Sequence, residues 1–204
     1  EHRKIALERE IASLAIGDFN SDGRKDLVWF GNPDQLTIAY QSANGDWTNR
    51  KRIRLPDVQP NAFIIATGDL NGDKKDDVAV LGKHDTYILY QQAAGELATP
   101  TRLMNTGDNL MLTQIADIDG DGRLDIVTGG WWGDNLRWWQ CPTDPTQPWQ
   151  SHILAAHTSN VETTRAWDID GDGVREIIAN TPNHATVTYY KISPVAPYAT
   201  AVPV

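Results

Sequence analysis

Four short stretches of this chain alternate oxygen-bearing side chains in a pattern suited to holding a hard divalent cation. They read Asp18-Phe-Asn20-Ser-Asp22-Gly23-Arg24-Lys-Asp26, Asp69-Leu-Asn71-Gly-Asp73-Lys74-Lys75-Asp-Asp77, Asp117-Ile-Asp119-Gly-Asp121-Gly122-Arg123-Leu-Asp125 and Asp168-Ile-Asp170-Gly-Asp172-Gly173-Val174-Arg-Glu176. Calcium takes six to eight oxygens at about 2.3 to 2.6 Å, so several carboxylates must converge from one loop. Positions 1, 3 and 5 point inward, position 7 offers a backbone carbonyl (Arg24, Lys75, Arg123, Val174), and the position 9 carboxylate closes the shell. Glycine at position 6 supplies the left-handed backbone of a sharp turn. Up to four Ca²⁺ ions are expected. Carboxylate count and the position 6 glycine rank the loops three, four, one, two.

An EF-hand begins the same way but needs a bidentate glutamate at position 12. Here that position is Trp29, Val80, Thr128 or Ala179, and apolar, β-rich residues follow every loop. Each site therefore joins two strands and not two helices.

The loops recur at intervals of 51, 48 and 51 residues, the mark of a repeat array. Each period carries short apolar or alternating segments separated by turn residues, the count expected of a four-stranded propeller blade. The predicted strands are 11–16, 27–30, 36–41 and 50–55, then 63–67, 78–81, 87–92 and 101–104. The third unit has 112–116, 126–130, 136–141 and 151–154, and the fourth 164–167, 177–180 and 186–192. The fold class is all-β. Blades are expected over about 11–55, 62–104, 111–154 and 163–192, within a propeller region of 1–192. The fourth unit lacks an outer strand, and residues 2–7 resemble the outer strands 50–55 and 150–154 closely enough to supply it. Either that strand closes a four-bladed ring, or the chain is an arc of a larger one. Residues 193–204, with three prolines, read as an extended tail.

The strand, the Asp-x-(Asp/Asn)-x-Asp-Gly-x-x-Asp loop and the next strand resemble FG-GAP or VCBS-type repeats, found in integrin α-subunit propellers and in many secreted bacterial proteins. The resemblance spans about residues 11 to 192. It implies a β-propeller with calcium held between the first two strands of each blade. Lys74 and Glu176 depart from the pattern, and family members usually carry about seven blades where four repeats are visible here.

The net charge of −9 is accounted for by the loops, which hold 15 of the 27 acidic residues and 6 of the 18 basic ones. Four bound Ca²⁺ would bring it near −1. No basic stripe remains for nucleic acid, and no apolar run is long enough to span a membrane. The lone Cys141 forms no internal disulfide. Weak oxygen cages fill at extracellular calcium levels, so the chain is expected to be secreted or at a cell surface.

The densest aromatic cluster, Trp131, Trp132, Asp134, Asn135, Arg137, Trp138 and Trp139, has the ingredients of a sugar-binding platform. Its alternate tryptophans are equally suited to filling space between blades. The five histidines show no metal-ligand spacing, and no nucleophile or base is nominated, so no enzymatic activity is expected. The expected function is a calcium-stabilised extracellular recognition or adhesion module that binds a protein or glycan on a rim face. The alternatives are a lectin-like propeller or the scaffold of a larger polysaccharide-active enzyme.

Overall fold

The computed structural model describes residues 4–7, 10–31, 34–93, 95–104, 110–130, 136–145, 147–155, 161, 164–181, 186–193 and 199–202. Among these there is no helix. Blade one comprises β1 (Ile11–Gly17), β2 (Asp26–Gly31), β3 (Gln35–Tyr40) and β4 (Asn49–Arg54). Blade two comprises β5 (Ile65–Gly68), β6 (Asp77–Leu81), β7 (Asp85–Leu89) and β8 (Thr101–Met104). Blade three comprises β9 (Leu110–Ala116), β10 (Asp125–Gly130), β11 (Arg137–Gln140) and β12 (Gln150–Ile153). Blade four comprises β13 (Thr164–Trp167), β14 (Glu176–Thr181), β15 (Thr186–Ile192) and β16 (Ala199–Val202). Each blade is an antiparallel meander whose strand order follows the chain, so the fold is the all-β array of propeller blades that the sequence announces.

Residues alternate between the two faces of each sheet, and both faces of the middle blades are apolar. Three cores result. Val28, Phe30, Leu36 and Ile38 of blade one meet Val78, Val80 and Leu89 of blade two. Ala79 and Ile88 of blade two meet Ile126 and Trp139 of blade three. Val127 and Trp138 of blade three meet Ile177, Ala179 and Tyr190 of blade four. The innermost strands adjoin in the order β1, β5, β9, β13, and among the described residues no comparable contact joins β13 to β1. Among the described residues the blades form an open arc.

Blade four gets its outer strand from the far end of the chain, which corrects the expectations for 2–7 and 193–204. β16 pairs with β15 in the register Tyr189↔Val202 to Ile192↔Ala199. The prolines at 194, 197 and 203 all fall outside that strand, whose N–H groups stay available to the ladder, and an outer strand is where nearby proline is tolerated. Residues 4–7 form no strand and run past blade one, where the Ala6 carbonyl accepts from Arg50 Nη2 at 2.9 Å. His2 lies outside the described residues. Phe63, expected in a strand, sits in a turn with φ +64° and is exposed.

Candidate metal centres

Each acidic loop connects the first two strands of its blade: 18–25, 69–76, 117–124 and 168–175. Three features build it. The position 1 carboxylate folds the chain back on itself: Asp18 Oδ2 accepts from Gly23 N at 2.8 Å, Asp69 Oδ2 from Lys74 N at 2.7 Å, Asp117 Oδ2 from Gly122 N at 3.0 Å and Asp168 Oδ2 from Gly173 N at 3.1 Å. Each of these bonds spans five residues and closes the loop around the position 1 carboxylate.

The second feature is a left-handed backbone at position 4 as well as position 6. Gly122 and Gly173 have φ of +86° and +90°, and Gly120 and Gly171 of +76° and +80°. Loop one places Ser21 at position 4 with φ +57°, and loop two places Lys74 at position 6 with φ +67°. Each of these non-glycine residues carries a strain of about 1 kcal/mol. The position 4 requirement is legible in Gly72, Gly120 and Gly171 once the turn geometry is known, and sequence reasoning missed it.

The third feature is the position 9 carboxylate. Asp26, Asp77 and Asp125 are wholly buried, and Glu176 nearly so. Asp26 accepts from Phe19 N at 2.9 Å and Gln41 N at 2.8 Å. Asp77 does the same with Leu70 N and Gln91 N, both at 2.8 Å, and Asp125 with Ile118 N at 3.1 Å and Cys141 N at 2.8 Å. Glu176 accepts from Ile169 N at 2.8 Å. Each of the three aspartates thus staples its loop to the end of the third strand of the same blade. Burial pushes the carboxyl groups of Asp77 and Asp125 up to about 7 and raises that of Asp26, against the pull of two backbone donors each.

What these loops can hold follows from where the oxygens meet. In loop three, one oxygen each from Asp117, Asp119 and Asp125 lies within 4.8 Å of the others, and in loop four the same holds for Asp168, Asp170 and Glu176. Oxygens about 2.3 to 2.6 Å from a shared ion lie no farther than about 5 Å apart, so both sets fit a hard divalent cation. In loops one and two an amide replaces the middle carboxylate. Asn20 Nδ2 donates to Asp22 Oδ2 at 2.9 Å, and Asn71 Oδ1 accepts from Asp73 N at 3.0 Å.

Position 5 is engaged differently from the expectation. Arg24 pairs with Asp22 and Arg123 with Asp121, while Lys75 lies 3.4 Å from Asp73. The two arginines also donate Nε–H to the carbonyls of Gln41 and Cys141, at 2.8 and 3.2 Å. Loop four has Val174 there, and Lys191 of β15 pairs with Asp170 and reaches Asp172 at 3.9 Å. A hydrogen bond from Lys191 holds the Asp170 carboxyl below the usual range. At position 7, then, the side chain as well as the backbone faces the loop.

Neighbouring loops are stitched together. Gln91, buried, donates to the carbonyls of Asp18 at 2.7 Å and Asp76 at 3.2 Å and accepts from Ser21 Oγ. Asp18 N donates to Asp76 Oδ2 at 2.7 Å. No motif marks Gln91.

The tryptophan cluster divides. Trp138 is fully buried between blades three and four with its ring centroid 4.6 Å from that of His152, and Trp139 is buried between blades two and three. Their place as ligand platforms is corrected: adjacent strand residues face opposite sheet faces, and both faces of blade three are covered. Arg137 is half-buried on the same strand. Trp131, Trp132, Asp134 and Asn135 lie outside the described residues.

Comparison with known proteins agrees with this architecture. Integrin alpha-7 of Homo sapiens is 28% identical over 138 residues, which is 57% of this chain and 12% of the integrin. The protein of Rattus norvegicus is 27% identical over 139 residues, with the same shares. The chain thus spans about an eighth of the length of these relatives. Among solved structures, a lectin of Agrocybe aegerita that recognises non-reducing terminal N-acetylglucosamine superposes with a TM-score of 0.57 at 19% identity, covering 80% of this chain and 45% of the lectin. The Vibrio cholerae biofilm matrix protein Bap1 does so with a TM-score of 0.50 at 20% identity, covering 90% of this chain and 29% of Bap1. The FG-GAP-like repeat matches residues 18–80, 69–128 and 117–179. With three overlapping matches across most of its length, each spanning two acidic loops and the blade between them, the chain belongs to the FG-GAP-like repeat family.

Proposed function

We propose that this chain is a non-catalytic, calcium-stabilised recognition module working outside the cell or at its surface. The observation that carries the reading is the convergence of three carboxylates in loop three and three in loop four. Asp117, Asp119 and Asp125 would hold one ion, and Asp168, Asp170 and Glu176 another. When bound, calcium supplies positive charge that ties together carboxylates which otherwise repel. Loops one and two, with Asn20 and Asn71, offer fewer charges and would fill last. The ion is structural in this reading and leaves the rim faces to bind a partner. Relatedness to integrin alpha-7 supports an adhesive role and an extracellular setting.

The test is a pair of thermal melts, one in millimolar calcium and one in excess chelator. Calcium should raise the midpoint, and magnesium, which demands a tighter octahedral shell, should raise it less. An unchanged midpoint would remove the structural role of the metal.

A glycan-binding reading is favoured by one further feature. A cleft of about 420 Å³ beside blade one is lined by Lys4, Ala6, Asp46, Trp47, Thr48 and Arg50, an aromatic ring among polar groups. A glycan array probed with the intact chain and with Trp47→Ala separates the two readings. Signal lost on the substitution supports the glycan reading, and a blank array leaves the protein-binding one.

A further inference from the structure

One position on the third strand of each blade tracks the chemistry of the acidic loop beside it. Leu27, Val78, Ile126 and Ile177, each following a position 9 acid, pair across to the third strand with Ala39, Leu89, Trp139 and Tyr190. The next residues along, Tyr40, Tyr90, Gln140 and Lys191, are therefore equivalent. Where loop position 3 is Asn20 or Asn71, this residue is a tyrosine that leans into a core between blades. Tyr40 packs on the core of blades one and two, and Tyr90 on that of blades two and three, its hydroxyl donating to the Pro145 carbonyl at 3.2 Å. Where loop position 3 is an aspartate, the third strand carries a donor that engages it. Gln140 Nε2 donates to Asp119 Oδ2 at 2.6 Å, and the Lys191 ammonium pairs with Asp170.

The two donors differ in charge and in rigidity. Gln140 is neutral, and its Oε1 lies 3.3 Å from Nε2 of His152, a buried ring whose centroid is 4.6 Å from that of Trp138. With its oxygen on His152 and its NH2 group on Asp119, the amide has one orientation. It holds Asp119 in place without neutralising it, as an outer partner orients a metal ligand. Lys191 brings a positive charge on a flexible stem, 44% exposed, and reaches Asp172 at 3.9 Å as well as Asp170. Cations reach the other loops too, but from position 7 and onto position 5: Arg24 on Asp22, Lys75 on Asp73 and Arg123 on Asp121. Asp121 lies outside the convergent set Asp117, Asp119 and Asp125. In loop four Val174 takes the place of that cation, and Lys191 sits on Asp170, a member of the convergent set.

We propose that Lys191 is a tethered counter-ion of loop four: it sits on the metal-binding carboxylates in the metal-free chain, and a calcium ion entering from solution must displace it. The inference rests on the calcium reading above and adds the residue that sets the order of filling. A four-carbon stem lets the ammonium swing clear, so the site is weakened and not closed. Loops three and four, equal in carboxylate count, then differ in affinity. Loop three, served by a neutral amide, fills first. Loop four follows, still ahead of loops one and two with their asparagines. Displacing one positive charge from the ligands of a divalent ion lowers affinity by about tenfold.

Calcium titrations that isolate one strong loop at a time test this. In the Asp119→Ala chain, which leaves loop four, adding Lys191→Gln should tighten binding about tenfold, and adding Lys191→Arg, which keeps the charge, should not. In the Asp170→Ala chain, which leaves loop three, adding Gln140→Lys should weaken binding about tenfold. Amine labelling of the unsubstituted chain, read residue by residue by mass spectrometry, follows the displacement itself. Lys191 should label slowly in chelator, where its ammonium is paired, and faster in calcium. With loop three binding normally, an unchanged loop-four affinity in Lys191→Gln, or equal tightening by Lys191→Arg, would overturn the inference and leave the calcium reading standing. So would a Lys191 labelling rate that ignores calcium while loop four fills. No binding at loop three would overturn the calcium reading and this inference with it.

Discussion

Loops one and two differ from loops three and four in how they are held. The first pair is locked by the protein itself: Gln91 clasps the Asp18 and Asp76 carbonyls, Asp18 N bonds Asp76, and Lys25 lies 3.4 Å from the same carboxylate. This pair tolerates Asn at position 3 and one non-glycine residue per loop in the left-handed region. The second pair has glycine at both left-handed positions and carboxylates at 1, 3, 5 and 9, and brings three of them to one point. One motif therefore does two jobs. Among the described residues, the loops held by Gln91 carry an amide at position 3, and loops three and four carry a carboxylate there and bring three carboxylates to one point.

The largest expected effect is common to both halves and shows what the comparison leaves out. Asp77→Ala and Asp125→Ala each strand two buried backbone N–H groups, at about 1 to 3 kcal/mol apiece. Chemical denaturation in chelator should give similar losses of about 3 kcal/mol for the two. A much smaller loss at Asp77 would mean that loop two is not stapled as loop three is.

Ligand substitutions should then split the halves. Asp119→Ala should remove much of the calcium-dependent rise in melting midpoint, and Asn20→Ala little of it. Equal effects would erase the distinction.

Acidity sharpens it further. Without an ion, Asp77 and Asp125 have folded pKa values of about 7, above the ordinary 3.8 of an unfolded aspartate. An acid shifted upward binds its proton more tightly in the folded chain, so its contribution is complete below about 3.8 and is lost as pH rises through 7. The chelated protein should therefore lose stability between about pH 4 and 7. Calcium, which binds the deprotonated carboxylates, should help more as pH rises across that window. A calcium increment that shrinks with rising pH would contradict the assignment.

The smallest effects concern the strained positions. Lys74→Gly relieves about 1 to 2 kcal/mol of left-handed strain and gives back about 0.4 to 1 kcal/mol through the more flexible unfolded chain, a net gain of about 0.5 kcal/mol. Ser21→Gly should be close to neutral, because it also loses the bond to Gln91. A destabilised Lys74→Gly variant would show that the lysine earns its place by some other contact.

Most of the fold was legible because propeller strands are short, regularly spaced and bounded by loops with a strong composition. The strand completing blade four was hidden, since Ala199 to Val202 carries little alternation and stands among prolines that dominate any local reading. The convergence of carboxylates in loops three and four was legible from alternation alone. Hidden were facts that depend on what lies across an interface, the burial of Trp138 and Trp139 and the clasp by Gln91, and one that depends on side-chain direction within a loop, the pairing of Arg24 and Arg123 with carboxylates expected to face an ion. Ser21 was missed because a serine in the left-handed region leaves no mark when its hydroxyl is satisfied elsewhere.

Calorimetric titration of the intact chain with calcium tests the division between the two halves most directly. The expected isotherm has two strong sites followed by weaker binding, with Asp119→Ala and Asp170→Ala each abolishing one strong site and Asn20→Ala and Asn71→Ala abolishing neither. Four equivalent sites, strong sites that vanish with Asn20 or Asn71, or no heat at millimolar calcium would contradict it.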